Sequence, residues 1–226
     1  MKTLCIIPAR GGSKRIPRKN IRPFLGKPII YYSIKKALES NCFNEIMVST
    51  DDIEIKKISE KYGASVPFMR SDEKSGDNTT IKEVIINVLN NYRKMNMDFD
   101  YVCCIFPTAP LIDVNNIIIG LEKIKKYNYL FTIVPYSYPI QRSLILNNKA
   151  VFFKYPENIN VMSQELETHY HDAGQFYWIN VKNILKTNEM YSKNNYTIIL
   201  NELEVQDIDT ETDWVLAEMK YKLKNN

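Results

Sequence analysis

A short apolar run passes directly into a cationic loop in the stretch Leu4-Cys5-Ile6-Ile7-Pro8-Ala9-Arg10-Gly11-Gly12-Ser13-Lys14-Arg15-Ile16-Pro17-Arg18-Lys19-Asn20. The run from Leu4 to Ile7 contains no polar residue, which is typical of a strand buried on both faces of a parallel sheet. In open α/β sheets, ligands bind outside the carboxyl ends of such strands. The loop therefore lies where a ligand is expected.

The loop concentrates positive charge without any acidic residue. Six cations occur between residues 10 and 22, and they are Arg10, Lys14, Arg15, Arg18, Lys19 and Arg22. Gly11 and Gly12 allow the backbone to approach a ligand and to offer its N–H groups. A charge run can also be a solvated surface, but three prolines between residues 8 and 23 stiffen this one. We interpret it as a binding loop for a highly charged anion, such as a triphosphate.

Two common nucleotide-binding motifs are absent from the sequence. The loop matches neither the G-x-x-x-x-G-K-[ST] pattern nor the G-x-G-x-x-G pattern. Kinase-like, GTPase-like and dinucleotide-binding hypotheses therefore lose their main support.

Length and composition limit the remaining classes. The chain has 226 residues, of which 45% are hydrophobic, and we expect a single domain over residues 1–226. A net charge of +4, concentrated near the N-terminus, predicts no nucleic-acid partner. No apolar run approaches the roughly 18 residues of a membrane span, so we expect no membrane partner and a cytoplasmic protein. The four cysteines form no C-x-x-C pair and are expected to be reduced core residues.

Strand-like and helix-like patterns alternate along the chain. Predicted strands cover residues 4–7, 46–50, 65–69, 101–106, 129–134, 175–180 and 196–200, predicted helices cover 27–40, 52–62, 79–95, 114–126 and 209–221, and residues 71–78 form a polar loop. Such alternation predicts right-handed βαβ crossovers and a parallel sheet covered on both faces.

The rhythm changes after Pro135. The following segment has short strand-like patterns around residues 147–148 and 156 and no helical period. We expect an inserted β arm over approximately residues 136–172. Arms of this kind often pack on a partner subunit, so the sequence predicts a homodimer.

A second chemical feature is the acidic segment at residues 207–213. Asp207 and Asp209 are two positions apart, so in extended backbone both carboxylates point to one side and Ile208 to the other. Mg²⁺ typically takes one or two protein carboxylates together with phosphate oxygens and water. We therefore predict Asp207 and Asp209 as magnesium ligands. The alternative is that these acids only stabilise the start of the final helix.

Several motifs together resemble a known family over almost the whole chain. They are Ile7-Pro8-Ala9-Arg10-Gly11-Gly12-Ser13-Lys14, Pro17-x-Lys19-Asn20, Val48-Ser49-Thr50-Asp51, Phe68-x-Arg70, Pro107-Thr108-Ala109-Pro110 and Asp207-Ile208-Asp209-Thr210. The chain is thereby similar to the CMP-sugar synthetases, the cytidylyltransferases of sialic and related acids. The resemblance implies a three-layer α/β/α Rossmann-like nucleotidyltransferase domain with a mainly parallel sheet and a small β-rich dimerisation arm.

The resemblance also implies the reaction, in which CTP and a nine-carbon 2-keto sugar acid give the CMP-sugar and pyrophosphate. Within the family, Pro139–Arg142 and Tyr170–Trp178 resemble the branch that activates pseudaminic acid. Sialic acid enzymes instead carry an Asn-Gly-Ala-Ile-Tyr type of segment in the second region, and they often have Gln where this chain has Phe106. Legionaminic, N-acetylneuraminic and ketodeoxyoctonic acids are the alternative sugars.

Site residues can be carried over by motif. The expected nucleotide-binding residues are Pro8, Ala9, Arg10, Gly11, Gly12, Ser13, Lys14, Lys19, Asn20, Arg70, Thr79 and Thr80. By similarity, Arg10 and Lys19 contact the triphosphate, and Asp207 and Asp209 bind Mg²⁺. These four are the expected catalytic residues, with one of the two carboxylates as a possible proton acceptor. The choice of CTP rests on the resemblance, because backbone groups could satisfy the base without a diagnostic side chain.

The segment from His169 to Trp178 is the best candidate for the sugar site, because it combines imidazole, carboxylate and aromatic groups. The expected sugar-binding residues are Gln141, Arg142, His169, His171, Asp172, Gln175 and Tyr177. Three alternatives remain. His169 and His171 could ligate a metal, Arg142 could form a buried ion pair, and core packing is favoured for Phe176 and Trp178.

One position departs from the family pattern. Relatives tend to have Arg where this chain has Met162, so a cation expected near the phosphates or the sugar carboxylate is missing. Arg142, Lys154 or a residue of a partner chain could replace it, or activity could be reduced. A non-catalytic protein that binds nucleotide sugars is therefore a third hypothesis.

Overall fold

A six-stranded sheet forms the centre of the computed structural model, which describes residues 1–71, 76 and 79–225. The strands are β1 (Thr3–Pro8), β2 (Pro23–Phe24), β3 (Lys27–Pro28), β4 (Glu45–Ser49), β5 (Tyr101–Ile105), β6 (Tyr129–Pro135), β7 (Leu144–Asn147), β8 (Ala150–Phe153), β9 (Tyr170–Asn180) and β10 (Asn195–Ile199). The helices are α1 (Ile29–Ser40), α2 (Ile53–Lys61), α3 (Ile81–Lys94), α4 (Val114–Ile124), α5 (Val181–Thr187) and α6 (Glu211–Asn225).

The central sheet is mainly parallel, as predicted. Its order is β10-β6-β9-β5-β1-β4, with β1 parallel to both β4 and β5 and β10 parallel to β6. Only β9 runs against its two neighbours, β5 and β6. The register between β6 and β9 shifts between Phe131 and Ile133, and Gly174 in this part of β9 has a φ of +60°. Because L side chains rarely adopt this angle, glycine suits the irregular position.

Helices cover both faces of the sheet, which gives the expected three layers. Alternate residues of β1 enter opposite cores: Cys5 and Ile7 pack in the cluster with α1 and α4, whereas Leu4 and Ile6 pack in the cluster with α3 and α5. All four side chains are fully buried. The run of β1 is therefore continuously apolar because both faces of the strand are buried, as the sequence indicated. All four cysteines are free and buried, as expected.

Local differences from the sequence predictions have simple causes. Residues 65–69 do not form a strand, and only Ser65 makes a bridge, to Met47. The first long helix begins at Ile29 because Lys27–Pro28 pair with β2. The sequence analysis missed α5, a short helix capped by the Asn180 side chain. The predicted polar loop at 71–78 falls mostly outside the described residues.

The predicted arm contains a β-hairpin made of β7 and β8. Asn148 and Lys149, at its turn, both have positive φ angles, of 44° and 69°. Two such residues form the type of turn whose twist suits a two-residue hairpin. Every residue of β7 and β8 is exposed. Tyr170–Asp172 at the end of the predicted arm pair with β6 and so belong to the central sheet.

None of the described helices combines the length and the hydropathy that crossing a membrane requires.

Candidate functional site

The cationic loop borders a cavity of about 260 Å³ at the carboxyl ends of β1 and β5, which we call the loop cavity. Its lining includes seven of the predicted nucleotide-binding residues, namely Pro8, Arg10, Ser13, Lys19, Asn20, Arg70 and Thr79. The cavity lies where the topology of an open α/β sheet places a ligand.

Neighbouring segments hold the start of the loop in place. The backbone N–H of Gly11 donates to Asp51 Oδ1 at 2.8 Å, and Asn20 Nδ2 donates to the carbonyl of Arg10 at 2.9 Å. A Cβ atom at Gly11 would lie 2.7 Å from Asp52 Oδ2, a distance at which the carboxylate would have to move. Glycine therefore suits this position, because any larger residue would displace the Asp52 carboxylate.

Arg18 braces the loop from outside the cavity. Its guanidinium donates to both carboxylate oxygens of Asp52 and lies 2.6 Å from Glu54 Oε2. Asp52 also accepts the backbone N–H groups of Glu54 and Ile55, which caps α2. The bond from Arg18 lowers the pKa of Asp52 to about 2. This cation therefore joins the loop to α2.

Arg22 is a second brace. Its guanidinium lies 2.6 Å from Glu211 Oε1 and 4.5 Å from the centre of the Trp214 ring, on α6. Two of the six cations thus attach the loop to helices instead of lining the loop cavity. Local sequence could not distinguish them from the others, because their acidic partners come from distant parts of the chain.

The loop and the acidic segment meet in space. Lys19 Nζ donates to the carbonyl of Ile208 at 2.5 Å and lies 3.4 Å from Asp209 Oδ1, across 190 positions of sequence. Arg15 Nη1 lies 2.7 Å from Asp209 Oδ2. The structure therefore brings the predicted anion-binding loop to the predicted metal ligands.

Asp207 and Asp209 line one cavity of about 340 Å³, which we call the acidic cavity. Ile208 between them is completely buried, as the alternation of an extended segment requires. Asp207 is exposed as a residue, yet loss of solvent around its carboxyl group and the charge of Asp209 both raise its pKa. Lys19 opposes this rise.

Capping of α6 involves a different acid. The backbone N–H of Thr210 donates to Asp213 Oδ2 at 2.7 Å, and the N–H of Asp213 donates to Thr210 Oγ1 at 3.3 Å. These reciprocal bonds form a capping box. The helix-capping role considered for Asp207 and Asp209 therefore belongs to Asp213.

The donor set suits a hard divalent cation that is shared with a phosphate group. Within residues 1–71, 76 and 79–225, no group of three or more His, Cys, Asp or Glu side chains could hold a metal. Mg²⁺ commonly uses only one or two carboxylates and completes its shell with phosphate oxygens and water. Asp207 and Asp209, on the same side of one segment and beside Lys19, fit that requirement.

Arg70 lies in the wall between the loop and β4. Its guanidinium donates to Ser49 Oγ at 3.1 Å and to the Ser49 carbonyl at 2.5 Å. Burial lowers its pKa, and the charge of Asp51 opposes this effect. Arg70 is therefore a buried cation at the edge of the loop cavity.

The remaining predicted nucleotide residues are placed differently. Thr80 caps α3 through a capping box with Glu83. Thr79 lines the loop cavity, whereas Thr80 does not. Ala9 is fully buried in the core, whereas Lys14 and Gly12 are exposed on the loop.

Tyr177 and Asp172 come together across the irregular part of β9. The Tyr177 hydroxyl donates to Asp172 Oδ2 at 2.8 Å, and the Gly174 N–H donates to Asp172 Oδ1 at 2.7 Å. Tyr177 lines a third cavity, of about 550 Å³, which we call the tyrosine cavity. It is also lined by Ile81, which borders the loop cavity as well. The two cavities are therefore neighbours.

The other predicted sugar residues are dispersed. His171 lines the acidic cavity, with its ring 4.8 Å from that of Tyr136. Gln141 Nε2 lies 3.1 Å from His169 Nδ1 at the base of the arm. Gln175 is buried and donates to the carbonyl of Glu204 at 2.5 Å.

Arg142 lies exposed on the arm and donates to the carbonyl of Val161. Its described partner is a backbone carbonyl and its side chain is exposed, so it does not form the buried ion pair considered for this residue. Phe176 and Trp178 are fully buried, and their favoured assignment to the core is confirmed.

Some residues that line these cavities were not predicted as site residues, although the sequence analysis noted Phe106, Pro107 and Thr108 for the family resemblance. The loop cavity also includes Phe106, Pro107, Thr108, Ile81 and Val84, and the tyrosine cavity includes Lys82, Met190 and Tyr191. The first three follow directly after β5, so the rule that drew attention to the end of β1 would have found them. No sequence signal marked Met190 or Tyr191.

Several known proteins are similar to this chain over almost its full length. The sequence profile of the family described as cytidylyltransferase matches residues 4–212. The chain is 42% identical to a pseudaminic acid cytidylyltransferase of Campylobacter jejuni, over 100% of this chain and 98% of that protein. It is 33% identical to a CMP-N,N'-diacetyllegionaminic acid synthase of Legionella pneumophila, over 99% and 97% of the two chains.

Among solved structures, the fold is similar to that of a CMP:2-keto-3-deoxy-manno-octonic acid synthetase complexed with CTP. The TM-score is 0.72 at 16% identity, and the match covers 100% of this chain and 99% of that one. At this identity the likeness supports the fold alone.

Proposed function

Because this chain belongs to the cytidylyltransferase family, we propose that it transfers CMP from CTP to pseudaminic acid and releases pyrophosphate. The observation that carries the proposal is the meeting of Lys19 with Ile208 and Asp209, which joins the cationic loop to a carboxylate pair. The 42% identity to a pseudaminic acid cytidylyltransferase over the full chain supports the choice of sugar.

The reaction demands mainly positioning and charge stabilisation. The hydroxyl on the anomeric carbon of the sugar attacks the α-phosphorus, the bond to the β-phosphate breaks, and pyrophosphate leaves. Negative charge accumulates on phosphate oxygens during this step, so fixed cations close to them lower the barrier. Arg10, Lys14 and Lys19 are the cations that we assign to this role.

Asp207 and Asp209 are the residues that would hold Mg²⁺. When bound, this ion neutralises phosphate charge and lowers the pKa of the attacking hydroxyl. Lys19 keeps the two carboxylates beside the triphosphate site by its bond to the Ile208 carbonyl. We assign one of the carboxylates as the acceptor of the hydroxyl proton, a role that requires it to lie within hydrogen-bond reach of the bound sugar.

The tyrosine cavity is suited to the apolar substituents of an acylated deoxy sugar acid. Tyr177, Met190 and Tyr191 provide aromatic and aliphatic walls, and the pair of Tyr177 and Asp172 supplies polar groups beside them. Sugars bind to surfaces that combine these two properties. Of the remaining predicted sugar residues, Gln141, Arg142 and His169 lie on or near the arm, and His171 lines the acidic cavity.

Arg142 is our candidate for the cation that Met162 does not supply. Its guanidinium bonds to the carbonyl of Val161, the residue directly before Met162. A positive charge is thus present near residue 162, although it is supplied by Arg142 from another part of the arm. This arrangement supports the catalytic hypothesis over the non-catalytic one.

We also propose a homodimer formed through the arm and a cytoplasmic location. The exposed apolar hairpin supports the first, and the four free, buried cysteines support a reducing compartment.

The test is pyrophosphate release by the purified protein with Mg²⁺ and CTP. Pseudaminic, legionaminic, N-acetylneuraminic and ketodeoxyoctonic acids are compared at equal concentration, and we expect release with pseudaminic acid. Release with one of the other acids alone would keep the chemistry and overturn the sugar assignment. Silence with all four, combined with tight binding of CTP, would favour a binding protein.

A further inference from the structure

Both carboxylate oxygens of Asp209 have a cationic neighbour from the loop. Arg15 Nη1 lies 2.7 Å from Oδ2, and Lys19 Nζ lies 3.4 Å from Oδ1. A divalent cation at Asp209 needs at least one of these oxygens. Each of these side chains competes with the cation for the oxygen's lone pairs and neutralises the negative charge that attracts the cation, so withdrawal of one of them should strengthen cation binding.

The two neighbours differ in how firmly they are held. Lys19 also bonds to the Ile208 carbonyl at 2.5 Å, and its side chain is only 20% exposed. The side chain of Arg15 is 70% exposed. Ion pairs of exposed side chains are weak and are exchanged easily. Arg15 is therefore the neighbour that can leave.

The other two arginines in the second half of the loop are engaged elsewhere. Arg18 pairs with Asp52 and Glu54 on the side of α2, and Arg22 pairs with Glu211 and covers the Trp214 ring. Arg15 differs from them because its acidic partner is one of the two candidate metal ligands.

We propose that Arg15 is an exchangeable counter-ion: it pairs with Asp209 in the free protein and passes to the triphosphate when CTP binds, so that nucleotide arrival opens Asp209 to the cation. The inference rests on the proposed function, because it needs CTP and a divalent cation as ligands. Arg15 is a positioning residue in this scheme and adds to the residues assigned above.

Geometry and chemistry both favour the exchange. Arg15 and Lys19 contact the two different oxygens of Asp209, and Lys19 lines the loop cavity, so the Arg15 guanidinium lies one carboxylate away from a residue of that cavity. A guanidinium binds carboxylate and phosphate oxygens with the same planar fork of donors. A triphosphate carries more negative charge than one carboxylate and is the stronger partner.

The first test measures cation binding without nucleotide. Mn²⁺ alone is titrated into the protein, and the resonance signal of free aqueous Mn²⁺ is followed. We expect Arg15→Gln to bind Mn²⁺ about two- to fivefold more tightly than the unchanged protein, the size expected for loss of an exposed competing pair. Asp209→Asn should weaken binding in both backgrounds. Arg93→Gln, which removes an exposed arginine that pairs with Asp98 outside the loop, is the matched control and should leave Mn²⁺ affinity unchanged.

The second test measures CTP binding by calorimetry in the presence of a chelator. Here Arg15→Gln should bind about tenfold more weakly, because one charge-assisted hydrogen bond to phosphate is lost. Arg15→Lys should retain part of the affinity. A purely structural role for Arg15 would not move the two affinities in opposite directions.

The outcomes separate this inference from the proposed function. If Arg15→Gln binds Mn²⁺ no more tightly, or binds CTP as well as the unchanged protein, the exchange is overturned even though CMP transfer proceeds. If the opposite shifts occur but no sugar acid accepts CMP, the exchange stands and the proposed reaction falls.

Discussion

The cationic loop and the arm both lie between regular elements, but they differ in how firmly the rest of the chain holds them. The loop is held by a hydrogen bond to Asp51 and by ion pairs with Asp52 and Glu211. The arm places Leu146 and Phe152 in solvent, with 72% and 56% of their surfaces exposed. The loop is therefore held by contacts within one chain, whereas the arm presents apolar surface of the kind that normally contacts another molecule.

The largest effect on activity should come from a substitution at Asp209, where the loop and the acidic segment meet. Asp209→Asn removes a charge from the carboxylate pair, and we expect kcat to fall by about a hundred- to a thousandfold, the range for loss of one preorganised electrostatic group. Pyrophosphate release measures kcat, and circular dichroism checks that the fold is kept. Near-normal turnover would show that Asp209 does not take part in the reaction.

A smaller effect is expected from the anchoring of the loop. Gly11→Ala places a methyl group 2.7 Å from Asp52 Oδ2, so the loop or the carboxylate must shift. Displacement by about 1 Å can cost up to a hundredfold in kcat/KM. Steady-state kinetics at varied CTP concentration measures the loss. At Gly12 an added Cβ meets nothing within 4 Å, so Gly12→Ala should lose less; equal losses would contradict the close-approach argument.

The arm is tested through its oligomeric state. We expect the protein to be a dimer at micromolar concentration, measured by size-exclusion chromatography with light scattering. Leu146→Asp should weaken it by about 2 kcal/mol, the cost of losing one buried leucine side chain. Lys149→Asp, at the turn of the same hairpin, also introduces negative charge but removes no apolar group, so it should weaken the dimer less. A monomeric unchanged protein would contradict the dimer proposal.

The smallest effect concerns the brace between Arg18 and Asp52. Because the pKa of Asp52 falls to about 2, its ionised form stabilises the fold above the unfolded pKa of about 4. That contribution is lost as the pH falls through 2. Arg18→Gln should therefore lower the free energy of unfolding by about 0.5–1 kcal/mol at pH 7.

Urea unfolding at several pH values measures this difference, which should shrink as the pH falls through the pKa of about 2 and vanish below it. A difference that does not depend on pH would mean that Arg18 acts through packing and not through the charge of Asp52.

Much of the fold was predictable because its signals are local. The run from Leu4 to Ile7 predicted a doubly buried strand, and the two-residue spacing of Asp207 and Asp209 predicted their common side. Signals that depend on distant partners were invisible. The antiparallel β9 between β5 and β6, and the cavity lined by Met190 and Tyr191, follow from how segments assemble and leave no periodic trace.

The sequence by itself determined the alternation of strands and helices, the charge of the loop and the family to which its motifs are similar. These depend on side-chain period, glycine and proline geometry, and residue type. Only the tertiary structure decided which cations lie at the acidic segment. Arg18 and Arg22 pair with acids of α2 and α6 and hold the loop in place. Arg15 and Lys19 instead contact Asp209. The physical reason is that the partner of a charged side chain is selected by proximity in space, and the acids that pair with these cations lie far away along the chain, Asp209 being 194 positions (209 minus 15) from Arg15.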